Sequence, residues 1–200
     1  LDGSVTVFCA KGGVEPQSET VWRQADKYMV PRMAYVNKMD INDANFLKVV
    51  DDMRSRLNAN AIAIQLPIGE ADEFRGIIDL VEMNATMYKD DKGLVTEVVE
   101  IPAEYKDEYE DALGVLAGAA AEGDDDLLVK FIDEGELTQE EIIAGLKIAV
   151  ANNRIVPSFA GNPEQNSGLV PLLDFIADIA PDPSHALETS ISPVEEKMAV

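Results

Sequence analysis

Two hundred residues carry 38 acids against 16 bases, a net charge of −22, with 46% hydrophobic and 27% charged residues. That length can bury a sizeable core, as one large domain or two small ones. So acidic a chain has no bulk charge for gripping a nucleic-acid backbone, which needs clustered Lys and Arg; acidity suits solubility or a basic protein partner.

Residues 4–10, Ser-Val-Thr-Val-Phe-Cys-Ala, are β-rich with little alternation, which predicts a strand buried on both faces of a parallel sheet. The single cysteine, Cys9, lies in this run and reads as a small buried hydrophobe. One cysteine excludes a disulfide framework and a multi-cysteine metal centre, and fits a reducing, cytoplasmic compartment. Leu1-Asp2-Gly3 reads as the interior of a longer chain, with no visible signal peptide. After the Gly12-Gly13 turn, Pro16 suits the first turn of a helix running to about Met29, with Val21, Trp22, Ala25 and Tyr28 at helical spacing. Met33–Val36 is a second strand. Phe46, Val49, Val50, Met53 and Leu57 then mark an amphipathic helix capped by Asn42 or Asp43. Ala61–Ile64 is strand-like again. This strand and helix alternation predicts an α/β architecture, a parallel sheet with flanking helices.

From there the rhythm changes. Residues 74–101 hold two strand-like runs around Asp90-Asp91-Lys92-Gly93, a hairpin turn. Pro102 opens a long helix with Tyr105, Tyr109, Ala112, Leu116 and Ala119 on one face. A second helix spans roughly 125–133, its Asp124-Asp125-Asp126 reading as a helix N-terminal cluster and not as a metal site. A third runs from Thr138 to about Asn152, opened by a capping box with Glu141. Residues 59–154 therefore read as an inserted α+β subdomain with its own small core, between 1–58 and 155–183. Residues 155–160 return to strand character. Leu169, Leu172, Leu173, Ile176 and Ile179 mark a last amphipathic helix. The stretch 184–200 reads as a linker or tail, and its His185, the lone histidine, is not expected to be catalytic. No apolar run approaches ~18 residues, so no membrane span is expected.

Asn37-Lys38-Met39-Asp40 ends the second strand, where open α/β sheets place their ligands. A carboxylate there can accept both guanine donors, N1–H and N2–H₂. An amide can serve the O6/N7 edge, and a Lys stem can lie over the base. Adenine would leave such a carboxylate unpaired, a strongly discriminating mismatch. The same residues also suit a turn that caps the next helix.

The four residues match the N-K-x-D guanine-specificity motif of GTPases. Residues 12–25, Gly-Gly-Val-Glu-Pro-Gln-Ser-Glu-Thr-Val-Trp-Arg-Gln-Ala, resemble bacterial elongation factor G almost verbatim. So do Gln65-Leu66-Pro67-Ile68-Gly69 with 74–80 at the start of its inserted subdomain, and 152–157 at its end. The resemblance covers residues 1 to about 183. It implies the C-terminal part of the G domain of a translational GTPase that binds GTP or GDP and drives tRNA and mRNA movement on the ribosome. Asp40 would pair guanine N1 and N2, Asn37 would serve the acceptor edge, and Lys38 would cover base and ribose.

No G-x-x-x-x-G-K-[ST] and no D-x-x-G-H occurs in the chain. In the family these supply the phosphate cradle, the Mg²⁺ ligand and a water-positioning histidine, so the chain alone is expected neither to hydrolyse GTP nor to bind it tightly. Where the family has Gly-Ser-Ala over the base, Gly161-Asn162-Pro163 stands here. Proline has no N–H to offer, so Asn162 or a shifted loop must supply the donor.

Between Glu104 and Asp126 lie nine acids and one base, Lys106. Glu104, Glu108 and Asp111 share a helical face, and like charges so spaced do not stabilise a helix. The resemblance implies a docking surface for the basic face of the ribosomal stalk protein; a merely solvated acidic face is the plainer reading. The competing readings of the whole chain are a related ribosomal protection factor and a stand-alone docking module that binds no nucleotide.

Overall fold

The computed structural model describes residues 3–90 and 92–181. In chain order, β1 (Ser4–Cys9), α1 (Pro16–Lys27), β2 (Arg32–Asn37), α2 (Phe46–Leu57) and β3 (Ala61–Ala63) come first. Four strands follow: β4 (Gln65–Ile68), β5 (Gly76–Asp79), β6 (Asn84–Tyr88) and β7 (Thr96–Val99). Three helices come next, α3 (Lys106–Ala121), α4 (Asp125–Glu134) and α5 (Gln139–Ala151), and then β8 (Val156–Gly161) and α6 (Leu169–Asp178). The first sheet is parallel, in the order β1-β2-β8-β3, and the second is antiparallel, in the order β4-β5-β6-β7. The expected α/β architecture is present, with a second, antiparallel sheet added to it.

β2 and β8 lie in the middle of the parallel sheet and are buried almost throughout, Arg32 and Ser158 included. Their side chains alternate between two cores. Met33 and Tyr35 face one cluster with Phe159 and Phe175; Ala34 and Val36 face another with Phe8, Trp22, Phe46 and Met53. β1 corrects the expectation of two-sided burial. It is an edge strand paired only with β2, and nothing among the described residues covers Val5 and Val7, which are 38% and 58% exposed. Cys9 is only half-buried for the same reason.

α1 ends two residues earlier than its spacing predicts, because Met29 turns into the left-handed region at φ 52°. Trp22, its one buried residue, is locked down by Arg32, whose guanidinium sits 4.6 Å over the indole and pairs with Asp26 at 2.7 Å. The cap of α2 is Asn45, not Asn42 or Asp43; its Oδ1 accepts from the Lys48 N–H at 2.8 Å. Asp43 pairs with Lys11 at 2.9 Å and has φ 67°, away from the extended conformation that side-chain caps such as Asn45 adopt.

The antiparallel sheet begins at Gln65, and β3 pairs with β8 in the parallel sheet although it lies inside the range 59–154. The inserted segment also lacks a separate core. Ile68, Ile78, Leu116 and Ile142 pack in one cluster with Tyr35, Phe159 and Phe175, because β4 continues almost directly from β3 and carries the apolar face across. α6 turns differently from its predicted stripe. Leu172, Phe175 and Ile179 go inward while Leu173 stays 54% exposed, since Phe175 gains an edge-to-face contact with Phe159 at 5.0 Å. Asp124 caps α4 by accepting from the Asp126 and Leu127 N–H groups. The expectations for 184–200 and His185 lie outside the described residues.

The Thr138–Glu141 capping box forms as predicted, and Glu141 also takes a hydrogen bond from Lys130 at 2.7 Å. That ammonium first, and the Thr138 N–H second, hold the Glu141 carboxyl down to about 2. A carboxyl lowered by folding stabilises the folded state above its unfolded range and stops doing so as pH falls towards the folded value. Glu141→Gln, which keeps an acceptor for the cap, is expected to lower thermal stability at neutral pH. The difference from the unaltered chain should shrink between pH ~4.5 and ~2. Melting curves across that range check it; a difference independent of pH would refute it.

Candidate functional site

Asn37 closes β2, opposite Cys9 on one side and Gly161 on the other. Its carbonyl accepts from the Ala10 N–H at 2.8 Å, and its own side-chain Oδ1 accepts from the Lys38 N–H at 2.6 Å. Lys38 adopts φ 67°, a conformation that costs a side-chain-bearing residue energy and that the surrounding contacts must hold. Met39 supplies much of that hold. It is 1% exposed, plugged into the cluster of Phe46 and Val49, and its N–H donates to Gly161 O at 3.3 Å. Lys38 and Asp40 flank this plug, Lys38 exposed and Asp40 half-buried. The loop then runs through Asn45, whose N–H donates to Ala10 O. The four residues are thus slung between the carboxyl ends of β1 and β8, and the helix cap that a plain turn would provide is supplied by Asn45 instead.

The neighbouring loop after β8 is closed on itself. Asn162 and Ser167 exchange both backbone hydrogen bonds, at 2.9 and 3.0 Å. The Gln165 and Asn166 N–H groups donate to Asn162 O and Pro163 O, and the Glu164 N–H donates to Asn162 Oδ1. The Gly168 N–H donates to Tyr88 Oη at 2.6 Å. Pro163 has no N–H, so every backbone donor from 162 to 168 is already engaged within the protein. A base at this loop must therefore find its donors on side chains. Asn162 is 3% exposed and uses its Oδ1 in the loop, which leaves Nδ2 as the end that could donate outward. Tyr35, directly beneath, donates from Oη to Ser167 O at 3.0 Å, and burial pushes its phenol well above the ordinary value, so it stays a donor.

Two cavities bear on the site. One of about 530 Å³ runs along β1 past Gly13, Ser18 and Val21 to Asn37 and Lys38. The other, about 540 Å³, lies between the antiparallel sheet and α6; Asp79, Tyr88, Asn166, Asp174 and Phe175 line it. Burial raises the Asp79 carboxyl there. It does not touch Asn37, Lys38 or Asp40. Among the described residues, no three His, Cys, Asp or Glu side chains gather as a metal site would need, and no helix is long and apolar enough to cross a membrane.

Glu104, Glu108 and Asp111 are all exposed, Glu104 just before α3 and the other two on it. Val115, 53% exposed, continues their face one turn on. Tyr35 and Tyr88 could not be picked out as loop supports from their own positions. The parity of Tyr35 with Met33 along β2 signals burial only, and nothing in the residues around Tyr88 signals contact with Gly168.

Residues 1–182 match the family model described as elongation factor Tu GTP binding domain. The chain belongs to this family. A crystal structure of a protein from Thermus thermophilus is similar, with a TM-score of 0.81 at 26% identity over 92% of this chain and 27% of that one. This chain therefore spans about a quarter of that protein's length. Family membership gives the molecule a translation-factor GTPase fold, one that binds guanine nucleotides.

Proposed function

We propose that this chain is the base-reading part of elongation factor G, with its inserted subdomain, from a cytoplasmic GTPase that moves tRNA and mRNA on the ribosome. The carrying observation is the Asn37–Asp40 loop, held from both sides at the carboxyl end of a central strand with Met39 as its plug. Asp40 accepts guanine N1–H and N2–H₂. The Asn37 amide and Asn162 Nδ2 serve the acceptor edge, since the Asn162–Gly168 backbone donors are taken. Lys38, exposed on a fixed loop, covers the base. The residues present fit a guanine base and not its phosphates or Mg²⁺: no phosphate cradle occurs in the sequence. No hydrolytic step is assigned to this chain, and GTP or GDP binds it weakly.

Calorimetric titration with GDP, with ADP as control, at millimolar nucleotide tests this reading. Weak GDP-selective binding that Asp40→Ala abolishes is the expected result. Equal binding of GDP and ADP, or GDP binding that survives Asp40→Ala, overturns it.

The second part of the proposal is that the face of Glu104, Glu108 and Asp111 docks the basic face of the ribosomal stalk protein. Three exposed acids in register, without local stabilising value, support it. Replacing all three by Lys should abolish binding of the isolated stalk domain; unchanged affinity would sink it.

A further inference from the structure

The loop after β8 is held from outside by the inserted sheet. Tyr88, the last residue of β6, takes the Gly168 N–H at 2.6 Å. Asn166 Nδ2 donates to Lys92 O at 3.0 Å, in the turn between β6 and β7. Gly93 approaches so closely that an added Cβ would stand 2.1 Å from Gln165 O, and its φ of +59° disfavours any other residue. From inside, Tyr35 holds Ser167 O. The loop is thus clamped between a parallel-sheet tyrosine and the tip of an antiparallel hairpin more than seventy residues away in the chain.

We infer that the β6–β7 hairpin positions the base-recognition loop, and that Tyr88 is the positioning residue through which the inserted sheet sets guanine affinity. This rests on the base-pocket reading above. Tyr88 touches no nucleotide in this account. Its hydroxyl fixes Gly168, Gly168 starts α6, and the closed Asn162–Ser167 turn holds Asn162 Nδ2 beside Gly161, where Met39 is anchored. The same connection makes the insertion and the base pocket a coupled pair: whatever shifts the hairpin shifts the donor offered to guanine O6.

Tyr88→Phe removes one oxygen and keeps the ring against Phe74, 6.4 Å away. In the full chain it should weaken GDP binding about fivefold, the size of one lost hydrogen bond. It should narrow the preference for GDP over 2-aminopurine riboside diphosphate, which lacks O6 and N1–H, leaving only the share that Asp40 sets through N1–H. The preference for GDP over inosine diphosphate, which Asp40 sets through the 2-amino group, should not change. Amide exchange at Gly168 and Ser167 should speed up in the same variant, and Asn166→Ala should act in the same direction. A merely structural role for the hydroxyl would lower all three affinities alike. Unchanged GDP affinity in Tyr88→Phe, with Asp40→Ala still abolishing binding, overturns this inference alone. Failure of the unaltered chain to select GDP overturns the base-pocket reading and this inference with it.

Discussion

Phe159→Ala is expected to cost about 3–5 kcal/mol, the usual loss for emptying a buried aromatic site. Phe159 is fully buried at the centre of the parallel sheet and meets Phe175 edge to face at 5.0 Å. The space it leaves would open between β8, α6 and the antiparallel sheet, all of which share the one cluster. No single element can collapse into it without pulling on the others. Against a total stability of about 5–15 kcal/mol, such a loss leaves a marginal protein. The measurement is the midpoint of denaturant unfolding. Because the insertion has no core of its own, a single cooperative transition shifted to lower denaturant is expected. Two separated transitions, with only one shifted, would contradict the shared core.

Gly161→Ala is expected to do nearly as much harm by addition. A Cβ at this position would stand 2.2 Å from Ser167 O and 2.3 Å from Tyr35 Oη. Neither neighbour yields easily, since each holds the other through the hydrogen bond from Tyr35 to Ser167. Overpacking of this kind costs about 1–3 kcal/mol. The loop must lift, which would break the Tyr35 contact and detach Met39 from Gly161 O. Thermal unfolding should fall, and a near-ultraviolet tyrosine signal should change with it. An alanine variant that melts like the unaltered chain would show that the loop has room the distances deny.

Much of this was legible in the sequence, and the reasons divide cleanly. β2 and β8 are readable because a strand buried on both faces is mostly apolar, and the α2 face because Phe46, Val49, Val50 and Met53 repeat at helical spacing. The Thr138–Glu141 box was readable because it is local. β1 misled because Val5 and Val7 carry the chemistry of a buried strand while sitting on an uncovered face, a fact decided by what lies beside the strand and not by the strand. The cap of α2 is not legible locally, because Asn42, Asp43 and Asn45 all suit the task and the choice turns on a distant partner, Lys11. Asn37, Lys38 and Asp40 were legible as a motif. That Asn162 spends its Oδ1 on its own loop, and that Tyr88 reaches across to Gly168, depend on contacts far apart in sequence.

The uncovered β1 has a consequence for how this molecule behaves in a tube. Among the described residues its outer side has unpaired peptide groups beside bare valines, the arrangement by which strands of separate molecules zip together. At neutral pH, 38 carboxylates against 16 basic groups keep copies apart by mutual repulsion. Acidification weakens that repulsion, and towards about pH 2 it also loosens Glu141 from Lys130. Dilution then becomes the control variable. Curves that overlay at every concentration report the interior of one molecule, whereas curves that drift with concentration report strangers meeting edge to edge.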